Sequence, residues 1–206
     1  GYEDTQNSTK GTGFVFADNS MLYEMGIIMG TGTGAQLYNN VRATSNTFDQ
    51  DFVSLDPRIS EINPGQRSSA EISGALSNGS TPASQSFQLK YRSLAWKEAP
   101  YDKFVIMEYI ISNPTAATIN GMRFGLFADW DITVNGATDA ANWDDFNKLG
   151  YVFPFSATGL PHAGIQLLTG TASYYAIDNN QALLNNLFGL YDGFTDTEKW
   201  TTLTSG

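Results

Sequence analysis

Short apolar runs that alternate with polar residues recur along this chain every 8–15 residues or so, a spacing of roughly strand-plus-turn length. That rhythm leaves room for strands and turns and little for helices. The cleanest run starts at Phe87. Phe87, Leu89 and Tyr91 fall on one face, and Gln88, Lys90 and Arg92 on the other. After Ser93 the apolar positions move to Leu94 and Trp96, a change of phase that predicts a β-bulge near Arg92–Ser93. "KFVIMEYIISN" (103–113) is apolar on both faces except at Glu108, which predicts a central strand covered on both sides. "NPTAATINGM" is the turn that follows and "RFGLFADWDI" (123–132) the return, so the two runs predict a long hairpin at the heart of the domain. Further strands are expected in "GFVFA", "LYEMGIIMG", "YVFPF", "GIQLL" and "ASYYAI".

Helical pattern comes only late. Ala182, Leu183, Leu187 and Leu190 stand near helical spacing, and Thr195 with Glu198 forms a capping box. No repeat of solenoid or propeller length is visible. The fold class expected is therefore all-β: a large antiparallel β-sandwich, supersandwich-like, with one or two short C-terminal helices. Residues 1–12 are polar and read as a linker or arm. Residues 13–206 read as a single sandwich domain, truncated at its C-terminal end.

Charge and composition exclude several partners. The net charge is 11 − 21 = −10 with no basic cluster, which repels phosphate backbones and anionic lipid. No apolar run is long enough to span a bilayer. With 13% aromatic residues the chain has ample material for a core. Cysteine is absent, a usage that fits an exported bacterial protein and removes thiol nucleophiles and zinc-ribbon sites.

The densest polar stretch is "FGLFADWDITVNGATDAANWDDFNKLGY" (124–151). Calcium takes roughly six to eight oxygen ligands, and Asp129, Asp131, Asp144 and Asp145 supply carboxylates for one. The helix–loop–helix calcium pattern is not met, because Thr133 and Val134 stand where an acid or amide and a glycine are needed. Trp130 and Trp143 are candidates for stacking on sugar rings. A glycosidase needs two carboxyl groups about 5–10 Å apart, for which Glu24, Glu108, Asp129 and Asp131 are the candidates. Glu108, set in an apolar strand, calls for a partner such as Arg92 or Arg123. His162 is the sole histidine, with no nucleophile elbow anywhere, so no catalytic residue is assigned. "GTGTG" (30–34) lacks both the spacing and the following helix of a phosphate loop.

The run "FVIMEYIISNPT…INGMRFGLFADWDI", then "ANWDDFNKLGYVF" and "GFTDTEKWTTLTSG", resembles a region downstream of the catalytic domain in secreted subtilisin-like serine proteases of Bacteroidetes-type bacteria. "GTGFVF…LYEMGIIMGTG" and "YRSLAW" fit the same region. The resemblance implies a non-catalytic accessory module, secreted or at the bacterial cell surface. Its partner would be the catalytic domain of the same polypeptide, its role structural, spacing or presentation of a protein or polysaccharide substrate. No triad residue carries over, because none of the protease motifs is present. The alternatives are a carbohydrate-binding module with an aromatic platform and a carboxylate-dependent glycosidase or lyase.

Overall fold

The computed structural model describes residues 14–32, 36–44, 47–56, 59–81, 83, 85–133, 136, 138–155, 158–177 and 193–205. The arm at 1–12 and the helix expected around residues 182–190 lie outside them. The chain is all-β and sandwich-like, with antiparallel pairing in every sheet. One short helix, at the C-terminal end, is present among the described residues. The chain divides into two compact units, residues 1–49 with 121–206, and residues 50–120.

In the first unit, β1 (Val15–Phe16) and β2 (Asn19–Ser20) form a small hairpin. A three-stranded sheet has β3 (Leu22–Thr31) at its centre, between β4 (Gln36–Asn39) and β10 (Arg123–Trp130). The glycine-rich stretch after β3 leads into β4 and not into a helix. A second sheet runs β11 (Asp139–Asp144), β12 (Leu149–Pro154), β13 (Ala163–Gln166). The helix α1 (Asp196–Thr204) carries both hydrogen bonds of the expected capping box.

Strand β3 is buried on both faces: Glu24, Gly26, Ile28 and Gly30 on one, Ile27 and Met29 on the other. Ile28, Val41, Phe127 and Phe194 form a core cluster, with Leu37, Ile177 and Leu203 packed against it. Burying each large apolar side chain contributes about 1.5–3 kcal/mol. Helix α1 docks where the sheet has no side chains. A Cβ added at Gly30 would meet the Trp200 ring at 2.4 Å, and one at Gly125 would meet Leu203 at 2.8 Å.

The second unit is one sheet, ordered β5 (Val53–Ser54), β7 (Ala70–Ser77), β8 (Gln88–Ala95), β9 (Val105–Ser112), with β6 (Ser60–Ile62) also on β7. Phe87, Leu89 and Leu94 are its large buried apolar side chains, with Ala75 beside them in the buried set, and Phe52 meets Phe87 edge to face at 5.9 Å.

Four sequence expectations differ from the fold. "ASYYAI" (172–177), expected as a strand, forms none. The doubly apolar run at 103–113 forms β9, the edge of its sheet, with Val105, Met107 and Ile110 exposed. The central, doubly covered strand of the first sheet is β3, whose glycines disguise it because they are where other elements approach. The predicted hairpin does not form, because β10 pairs along its length with β3. Nor is there a bulge at Arg92–Ser93: β8 keeps an unbroken register with both β7 and β9. Leu89 and Leu94 lie on opposite faces and are both buried, so the apolar phase changes because the covered face changes along the strand.

Candidate functional site

The register of β3 and β10 sets Glu24 directly opposite Asp129 on one face. Two carboxylates in that position repel. Arg42, in the segment after β4, relieves them. Its backbone N–H donates to Glu24 Oε1 at 2.7 Å and its Nε to Glu24 Oε2 at 2.6 Å. Its Nη2 donates to Asp129 Oδ2. The guanidinium also lies 5.4 Å from the Phe127 ring centroid and 5.7 Å from that of Tyr23. Burial opposes the Arg42 charge, but Asp129 and then Glu24 outweigh it and raise its pKa. Glu24 is thus held by two donors of Arg42 and Asp129 by one, each bond strengthened by the charges it joins.

The strand loses its register between Asp129 and Trp130, so Asp131 is not simply two positions further along the same ladder. Its N–H donates to Met21 O at 3.0 Å. The loop beyond folds onto its carboxylate: Gly136, with φ +61°, leaves no room for a Cβ, which would lie 2.5 Å from Asp131 Oδ1. Asp139 Oδ2 closes the loop by accepting from Ile132 N at 2.8 Å and Thr133 N at 3.2 Å. Asp139 Oδ1 is buried without a hydrogen-bond partner among the described residues.

Asp144 ends β11 and Asp145 opens the turn to β12. Asp144 accepts from the Asn147 side chain at 2.6 Å and backbone at 3.0 Å, and these bonds lower its pKa. Asp145 is held low by Lys148 at 2.9 Å and then by the Trp143 indole N–H at 3.3 Å. The four expected calcium ligands therefore serve three local structures: the arginine clamp, the loop after β10 and the β11–β12 turn. Among the described residues, no group of three or more histidine or carboxylate side chains is placed to hold a metal ion.

Both candidate tryptophans already have ring partners. Trp130 meets Phe14 edge to face at 5.8 Å. Trp143 lies parallel to Tyr174 at 5.5 Å, and Tyr174 in turn covers Gly150, where a Cβ would come within 2.6 Å of its ring. Burial raises the Tyr174 pKa. A further aromatic group, half-buried at Tyr151 and Phe153 and exposed at His162, was not among the expected stacking candidates. Tyr151 and Phe153 share a face of β12, and His162 stands beside them just before β13. The Tyr151 and His162 planes are within 12° at 6.2 Å, and Phe153 is 5.7 Å from His162. Asn142 Nδ2 donates to the Tyr151 hydroxyl at 3.1 Å. The period-two aromatics of "YVFPF" were the available signal. His162 is flanked by rings and not by a hydroxyl nucleophile.

In the second unit, Glu108 stands opposite Arg92 on β8, yet its hydrogen bond comes from Arg67 Nη1 at 2.6 Å. That bond lowers its pKa. Arg67, not Arg92 or Arg123, is the partner the sequence called for. Glu71, completely buried, accepts at Oε1 from the backbone N–H groups of Arg67 and Ser68. Its Oε2 has Arg92 Nη1 at 4.0 Å. The backbone bonds, Arg67 N–H first, hold its pKa low.

No protein-family model, curated protein or solved structure matches this chain.

Proposed function

We propose that this chain is a non-catalytic accessory module of a secreted bacterial subtilisin-like serine protease, with a structural, spacing or substrate-presenting role. One observation carries the non-catalytic part. Of the four carboxylates that the sequence offered for hydrolysis, Glu24, Asp129 and Glu108 are each held by an arginine in a structural ion pair, and Gly136 packs against the fourth, Asp131. An acid or base for catalysis needs its proton free to move to a substrate. The resemblance of "GLFADWDI" and the "N-W-D" segment supports the protease context.

The test has two parts. The purified chain is expected to turn over neither peptide nor glycoside substrates; turnover that disappears in Glu24→Gln or His162→Ala would refute the reading. In the parent polypeptide, deleting this segment is expected to lower yield or cleavage of folded protein substrates while sparing small peptides. A parent gene that encodes no serine-protease domain would refute the context.

A second reading is favoured by the Tyr151, Phe153 and His162 rings. At 6.2 Å, parallel rings are strongly offset, so each leaves part of its face uncovered by the other. Such a surface suits the C–H faces of a neutral polysaccharide, and the chain's net acidity disfavours anionic polymers. Calorimetric titration should show binding that is lost in Tyr151→Ala and kept in Trp130→Ala; equal loss in both would point to unfolding instead.

A further inference from the structure

Lys199, like Glu71, is a fully buried charged side chain, with a side-chain exposure of 0%. Its Nζ contacts Asp49 Oδ2 at 2.5 Å and lies 3.8 Å from Asp196 Oδ1. The Phe194 ring centroid is 5.7 Å away. The ammonium group, in short, sits between two carboxylates and an aromatic wall, out of contact with water.

The backbone fixes this arrangement from both sides. Asp49 N donates to Val41 O at 3.0 Å, and Val41 is completely buried. Phe194 N donates to Ala43 O at 3.2 Å, and Thr44 and Gly193 form a β-bridge. Lys199 is then placed by the capped first turn of α1, its own N–H on Thr195 O at 2.9 Å. Amine and carboxyl are therefore held together before any reaction, which is the condition that makes an intramolecular step fast. With Nζ at 2.5 Å from Oδ2, the carboxyl carbon lies about one bond length further on, close to the near-attack range of roughly 3–3.5 Å.

We propose that Lys199 and Asp49 condense to an intramolecular amide. Within the contact, the ammonium passes a proton to the Asp49 carboxylate, leaving a neutral amine and a carboxylic acid. Nζ adds to Asp49 Cγ, and the new C–N bond replaces the C–OH bond. The hydroxyl leaves as water, with Asp196 carrying the proton from nitrogen to it. Nothing is oxidised or reduced, and no co-reactant is required. Burial of the ammonium favours the product, because a charge out of water carries a desolvation cost that a neutral amide does not, while Asp49 keeps 30% side-chain exposure. The link would join positions 150 residues apart in a chain with no cysteine for a disulfide. It would fasten α1 to the segment that follows β4, acting on the unfolded state as a disulfide does. This inference goes beyond the accessory role and stands or falls apart from it.

Intact-mass measurement on the folded chain tests it directly. The expected mass is one water below that of the sequence, with a proteolytic fragment branched between Lys199 and Asp49. Lys199→Met and Asp49→Ala should each restore the full mass and lower Tm. Asp196→Ala, which keeps both reacting groups, should still fold but condense more slowly, read as a mixture of the two masses over time. A wild-type chain with native circular dichroism that keeps its full mass on prolonged incubation overturns the proposal. So does a water loss located at other residues, or one unaffected by Lys199→Met.

Discussion

Two arginine–carboxylate centres among the described residues are made from the same chemistry on the same kind of scaffold. In each, register sets charged side chains face to face on neighbouring strands. In the first unit Glu24 and Asp129 are opposed, and Arg42 closes over both. In the second, Arg92 and Glu108 are opposed, and Arg67 arrives from the loop before β7. Their surroundings differ. Side-chain exposure is 13% for Arg42 and 2% for Glu24, against 49% for Arg67 and 39% for Glu108. A buried ion pair is hard to break, since removing one partner leaves an uncompensated charge away from water. An exposed pair gives up little, because water takes over its hydrogen bonds. Position in the fold, more than residue type, decides how much each centre matters.

The largest effect should come from breaking the buried centre. Arg42→Met leaves Glu24 and Asp129 facing each other with no cation, and should cost about 3–5 kcal/mol, a fall in Tm of roughly 10 °C. Thermal melts followed by circular dichroism would measure it. The triple change Glu24→Leu, Arg42→Met, Asp129→Leu should recover much of the stability, because no unpaired charge remains. If Arg42→Met melts like the parent, the buried centre is no more important than the exposed one and the contrast fails.

Glu71 sharpens the comparison from within the second unit, because it is buried where Glu108 is not. Its carboxylate gathers backbone N–H groups of the loop before β7. Glu71→Ala frees those donors and should lower Tm by less than Arg42→Met and more than any change at Arg67. Local hydrogen exchange at Arg67 and Ser68 should rise with it. The pH dependence follows in sign. Backbone N–H donors hold the Glu71 pKa low, and the Arg67 side chain does the same for Glu108. A carboxylate whose folded pKa is depressed contributes stability that is complete above its unfolded value. That contribution is lost as pH falls below about 4.3 and through the lower folded value. Acid unfolding of Glu71→Gln should therefore be shallower than that of the parent over that window. An unchanged profile would show that Glu71 is not a source of the acid sensitivity.

The fold class was legible because turn residues punctuate the chain at strand-length intervals, and the Thr195–Glu198 box was legible because capping is local. Asp129 stood out in the sequence as a candidate metal ligand or acid. Its partner did not, since Arg42 lies 87 residues away in a segment with no regular pattern. The same limit applies to strand order. Apolar residues on both faces made β9 look central, yet periodicity cannot tell a covered strand from an edge. Strand β3 was expected as a strand, but its central place was hidden for the opposite reason: Gly26 and Gly30 look like flexibility and are contact points, with Val41 and Trp200 pressed against them. Pairing of β10 with β3 spans about half the chain, and no local rule reaches that far. Lys199 was missed because a lysine on a short capped helix reads as solvent-facing until the tertiary structure closes over it.

The smallest effect belongs to the exposed pair, and salt is the way to isolate it. Arg67 Nη1 and Glu108 Oε2 are 2.6 Å apart, short enough for a good hydrogen bond, yet both side chains are well exposed. Water therefore competes for each of them, and holding two long side chains in one geometry costs entropy. Arg67→Ala should move Tm by no more than about 2 °C. Replacing the side chain leaves the Arg67 backbone N–H free to keep its bond to Glu71, so the buried carboxylate stays satisfied. Raising the salt concentration should erase even that difference, since ions screen exposed charges over distances of about 10 Å or less. The Arg42→Met deficit, protected by burial, should persist under the same conditions. Equal salt sensitivity at both centres would mean that Arg42 is reached by solvent as freely as Arg67, and the distinction drawn from burial would collapse.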